Sequence, residues 1–97
     1  MKLLHFLLCA TLVLAVLQGF SGVNRIDPPN WYTGFENPNL QLMVYGNDIS
    51  LLTPEISYDG VTIKSVTRAQ SPNYLFVDLK IDENTKPGTF DINFKSG

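Results

Sequence analysis

Two apolar patterns follow one another along this chain. The first is a continuous run. Met1-Lys2 leads into Leu3 to Leu17, almost wholly apolar, and the run leaves through Gln18-Gly19-Phe20-Ser21-Gly22. The second is alternation, the period of a strand covered on one side. Leu40, Leu42 and Val44 fall on one face and Gln41, Met43 and Tyr45 on the other. Leu75, Val77, Leu79 and Ile81 alternate with Tyr74, Phe76, Asp78 and Lys80, and Phe90, Ile92 and Phe94 alternate with Asp91, Asn93 and Lys95. No window of about eleven residues carries the helical period.

The punctuation between these segments sets their connections. Pro28-Pro29 removes two backbone donors and confines Val23 to Asp27 to an edge or a crossing position. Asn30 to Asn39, with Gly34, Asn37 and Pro38, reads as a loop rich in aromatics, and Gly46-Asn47-Asp48 as a turn cluster tolerant of positive φ. Ile49 to Thr53 is a connector, and Pro54 limits pairing after it. Asp59-Gly60 is the strongest two-residue hairpin signal and predicts Ile56 and Tyr58 beside Val61 and Ile63. Ser71-Pro72-Asn73 and the hydrophilic stretch Asp82 to Gly88 precede the last two strands. Five or six short strands at about 8 to 12 residue spacing predict an all-β fold, an immunoglobulin-like antiparallel β-sandwich.

The initial run changes the reading of everything after it. A positive start, an apolar stretch and a small-residue exit are the three parts of a secretory signal peptide. As a helix it is roughly 22 Å long against about 30 Å of bilayer hydrocarbon, short for a permanent span. Residues 1–21 are therefore expected to be a signal peptide helix, cut after Ser21 with Gly19 or Gly22 as alternatives, and 22–97 the exported domain, periplasmic or extracellular. No stable membrane anchor is expected, because Cys9 has too little apolar sequence ahead of it to serve as a lipidation site. Trimming removes Cys9 and His5, the chain's sole cysteine and histidine. The remainder is expected to have no disulfide, no thiol or imidazole chemistry, no zinc site of the usual nitrogen and sulfur ligands, and no cofactor. About 75 residues bury only some 60 to 65 % of the unfolded surface, so such a module leans on another domain or subunit.

Charge adds little. A formal balance of -2 implies neither nucleic acid nor an anionic membrane as partner. The nine Asp and Glu residues fall in loops, at turns or on outward faces, and read as solvated surface charge rather than a hydrolytic pair. Asp82, Glu83 and Asn84 lack the ligand order of a known calcium loop. The informative side chains are Trp31, Tyr32 and Phe35. Rings in a polar segment can stack on a sugar, plug a pocket on a neighbouring domain or subunit, or fold back on their own sheet. Tyr45, Tyr74 and Phe76 point away from the apolar face, as sheet surface or as a second interface.

The stretch Ile26-Asp27-Pro28-Pro29-Asn30-Trp31-Tyr32-Thr33-Gly34-Phe35, followed by Asn37-Pro38-Asn39-Leu40-Gln41-Leu42-Met43-Val44-Tyr45-Gly46, carries a resemblance. With Ser71 to Leu79 and the Lys86-Pro87-Gly88-Thr89-Phe90 turn, it resembles the N-terminal domain of the neopullulanase and cyclomaltodextrinase group of the α-amylase superfamily, especially the exported enzymes of Bacteroidetes. The resemblance runs from about Val23 to Lys95. It implies a sandwich ahead of a catalytic (β/α)₈ barrel, assisting substrate binding, packing on the barrel and often forming dimers, in enzymes that hydrolyse α-glucans with two carboxylates. Those carboxylates have no counterpart in these 97 residues. No catalytic residue is expected and the chain is not an enzyme on its own. Trp31, Tyr32 and Phe35 are expected to touch a downstream barrel, a partner subunit or α-glucan. Tyr32 stands where the family pattern often carries a second Trp. The alternative is a freestanding adhesion or receptor-type module of the IPT/TIG kind. The reading frame past Gly97 discriminates the two.

Overall fold

The computed structural model describes residues 2–9, 23–34 and 36–96. Among them lie eight strands and no helix: β1 (Lys2–Cys9), β2 (Val23–Asp27), β3 (Asn30–Tyr32), β4 (Asn39–Gly46), β5 (Thr53–Ile56), β6 (Val61–Arg68), β7 (Tyr74–Ile81) and β8 (Gly88–Lys95). They form two four-stranded sheets, ordered β3-β1-β8-β5 and β2-β4-β7-β6. The immunoglobulin-like β-sandwich is thus the observed fold. All pairings between strands are antiparallel except β1 with β3, which is parallel.

The alternation places the core where the sequence puts it. Leu40, Leu42 and Val44 of β4, Leu75, Val77, Leu79 and Ile81 of β7, and Phe90, Ile92 and Phe94 of β8 are all buried. Val23 and Ile26 from β2 and Ile49 and Leu52 from the connector join the same cluster. Each fully buried aliphatic or aromatic side chain contributes about 1.5–3 kcal/mol of transfer free energy. Pro28-Pro29 lies at the crossing from edge strand β2 in one sheet to β3 in the other, and the Asp27–Pro28 peptide is cis. Asp48 takes a positive φ of 57°, and its backbone N–H donates to Asn73 Oδ1 at 3.1 Å. The connector is tied down by Arg68, whose guanidinium donates to the carbonyls of Ser50 and Leu52 at 2.5 and 2.8 Å.

Three expectations are corrected. Asp59-Gly60 does not open a two-stranded ladder: β5 pairs with β8 and β6 with β7, and among the described residues Tyr58–Val61 is the one backbone bridge between the two arms, setting Tyr58 beside Val61 as expected. The turn is closed by Val61 N–H donating to Tyr58 O at 3.1 Å, with positive φ at Gly60 (94°) but not at Asp59. That is the geometry of an ordinary turn, which splays its arms, and not of the mirror-image turns that keep a hairpin's strands together. The arms therefore enter different sheets. Second, Asn30 to Tyr32 is a short strand rather than the start of a loop. Third, Lys2–Cys9, expected in a helical leader, is extended and paired with β8 and β3. A short apolar run without caps suits a strand as well as a helix, and a ladder edge beside it satisfies its backbone groups.

Candidate functional site

Trp31 and Tyr32 are carried by β3, at the edge of its sheet. Their rings meet edge-to-face with centroids 6.1 Å apart. Trp31 is half-buried and packs against the core cluster, while Tyr32 is half-buried beside it. The expected aromatic segment is thus a structured strip, partly anchored in its own domain and partly offered outward. Phe35, the third expected contact, lies outside the described residues.

A second surface covers the outer face of the sheet β2-β4-β7-β6. Pairing of β4 with β7 sets Tyr45 opposite Tyr74, Met43 opposite Phe76 and Gln41 opposite Asp78. The two tyrosine rings tilt at 56° with centroids 5.1 Å apart, and Tyr45 is exposed. One step along the strands the surface turns polar. Asp78 accepts from Gln41 Nε2 at 3.0 Å and from Ser65 Oγ at 2.7 Å, and Lys64 Nζ donates to Asn39 Oδ1 at 2.8 Å. The Ser65 and Gln41 hydrogen bonds, helped by Lys64, hold the Asp78 carboxyl below its ordinary range against a smaller desolvation effect. A carboxylate kept ionised with a donor on each oxygen is an acceptor and orienting group, not a general acid.

A third feature lies where the sheets part. Pro54, Ile56, Tyr58, Val61, Ile63 and Phe90 line an open cleft of about 880 Å³ between β5 and β6. Tyr58 stacks on Phe90 at 4.9 Å, and its hydroxyl donates to Lys86 O at 2.6 Å. The cleft follows from the splayed turn at Asp59-Gly60, which separates the two arms.

Sequence reasoning singled out Trp31 and Tyr32, which the fold sets side by side on β3, and passed over the Gln41–Asp78–Ser65 group, having taken Asp78 as solvated charge. Alternation puts all three residue positions on strands, yet only the register of β4 and β6 against β7 brings them together, and register is not readable from one chain. Among the described residues no group of three or more His, Cys, Asp or Glu side chains is placed to hold a metal ion.

The fold is an immunoglobulin-like β-sandwich with rings and amide or carboxylate groups on its outer surfaces over an apolar interior. The family model described as cyclomaltodextrinase, N-terminal, matches residues 25–97, and the chain belongs to that family. The family is the non-catalytic N-terminal domain of an α-amylase-type enzyme.

Proposed function

We propose that residues 22–97 are the accessory domain of an exported α-glucan hydrolase, contacting its catalytic barrel, a partner subunit or the glucan through Trp31, Tyr32 and Phe35. Residues 1–21 are the signal peptide that exports it to the periplasm or beyond. The observation that carries this reading is the family match over residues 25–97. It is supported by the position of Trp31 and Tyr32 at a sheet edge, with part of each ring outside the core. The half-exposed part of one indole is worth about a tenfold change in affinity if covered on docking, roughly 1.4 kcal/mol.

In the complete enzyme, Trp31→Ala is expected to weaken either retention on starch or association of the subunits by that factor, with the unfolding midpoint of the barrel unchanged. The same affinity and the same assembly in variant and wild type would remove the β3 rings from the contact. Residues 22–97 alone are expected to leave maltooligosaccharides intact. Hydrolysis that responds to mutation within this domain would refute the accessory role.

A further inference from the structure

The position of β1 in its sheet is at odds with its position in the chain. The sheet β2-β4-β7-β6 has the order of the four-stranded layer of a seven-stranded immunoglobulin sandwich, read as its first, second, fifth and fourth strands. In the facing layer β5 and β8 then stand as the third and sixth strands. The place on the far side of β8 belongs, in that topology, to a seventh strand following β8. It is held by β1, the first element of the chain.

The direction of β1 agrees with this assignment. Lys2 lies opposite Phe94 and Leu8 opposite Gly88, so β1 starts beside the C-terminal end of β8 and runs back along it. A strand joined to Lys95 by a tight turn would follow the same course. Directly opposed positions of an antiparallel pair share a face. The seat therefore asks for apolar residues at the positions opposite Phe90, Ile92 and Phe94, which are buried, and β1 brings Phe6, Leu4 and Lys2 to those register positions. On its other side the seat runs parallel to β3, pairing Leu8 with Trp31 and Cys9 with Tyr32.

If residues 1–21 are removed, the ladder from Lys2–Phe94 to Leu8–Gly88 is dissolved, and β3 is parted from the rest of its sheet. We propose that the groove between β3 and β8 is a strand-acceptor site, and that its occupant in the exported protein is the polypeptide following Gly97, returning from β8 by a short hairpin. This rests on the reading of residues 1–21 as a cleaved leader. Delivery in cis is favoured over a strand from a second copy because the seat begins beside Lys95. A two- to five-residue loop spans that gap, at an effective concentration of about millimolar or more. The leader strand and the following strand are alternatives for one place, so Trp31 and Tyr32 are framed by whichever holds it.

The test uses the complete exported protein. N-terminal sequencing first establishes whether residues 1–21 are gone. Amide exchange then reads β8, and p-benzoylphenylalanine at position 91, on the exposed side of β8, captures its neighbour for identification by mass spectrometry. The expected result is a new N-terminus near Gly22, exchange across Gly88–Lys95 slowed at least about a hundredfold relative to the Asp82–Lys86 connection, and a cross-link to residues beyond Gly97 of the same polypeptide. A cross-link to another polypeptide, or a β8 that exchanges as fast as that connection while β7 stays protected, overturns the proposal with the leader reading intact. A retained Lys2–Cys9 cross-linked to position 91 overturns both, and the sequencing step shows which has failed. Exchange on the unsubstituted protein keeps the test valid if the photoprobe disturbs folding.

Discussion

The two sheets differ in how they are assembled. In β2-β4-β7-β6 every strand comes from residues 23–81, and each neighbour is supplied by a segment with clear alternation or an edge position. In β3-β1-β8-β5 the elements are a three-residue strand, the N-terminal run, β8 and a four-residue strand containing Pro54. The first sheet is assembled from segments that their own pattern or an edge position marks as strands. The second is built round β8, whose neighbours are short or distant in sequence, so it is the layer that depends on what other segments supply.

The largest test of this contrast is to remove mass from the central strand of each sheet. Phe94→Ala in β8 and Leu79→Ala in β7 delete side chains that are 1 % and 0 % exposed. Losses of about 3–5 and 2–5 kcal/mol are expected, read from urea unfolding midpoints. If β8 depends on a supplied neighbour, its variant falls further when that neighbour is absent, whereas the Leu79→Ala loss stays constant.

Gly60→Ala probes the turn that separates the layers. An added Cβ would lie 2.3 Å from Thr85 Oγ1, at a φ of +94° that side chains rarely adopt. Thr85 is buried, and its hydroxyl lies 2.6 Å from Asp82 O, to which it donates, and 3.1 Å from Gly60 O, so it has little freedom to move. A loss of about 1–3 kcal/mol is expected in thermal unfolding. An unchanged midpoint would mean that the β5–β6 turn is not held by the β7–β8 connection.

Asp78 gives the smallest effect and concerns the outer face of the sheet β2-β4-β7-β6 alone. Its carboxyl is held below the ordinary range, so its contribution to stability is present above the unfolded value of about 3.9 and is lost as pH falls through the folded value. Asp78→Asn should therefore lower the urea midpoint slightly at pH 6, and the gap to wild type should close on acidification below about 4. A gap that persists at the acid end would assign the effect to packing rather than charge.

The same contrast explains what the sequence could and could not convey. Leu40–Val44, Leu75–Ile81 and Phe90–Phe94 announced their strands and buried faces because period-two alternation is a local property of half-covered backbone. The Asp59-Gly60 turn misled because the dipeptide is compatible with both a hairpin and a splayed turn, and the choice between them is made by β7 and β8. The strand at Asn30–Tyr32 is too short for any period to show. Trp31 and Tyr32 stand out by residue type, whereas the Gln41–Asp78–Ser65 group depends on registers across three strands. The pairing of Lys2–Cys9 was hidden because a continuous apolar run carries no face preference.

Trp31 is the single tryptophan of residues 1–97. Its half-buried indole sits on β3, the edge strand next to β1. Excited at the red edge of the near-ultraviolet band, it gives this domain an intrinsic optical reporter. A blue shift of its emission would register closure of that edge, and a red shift its opening to water, with no label attached.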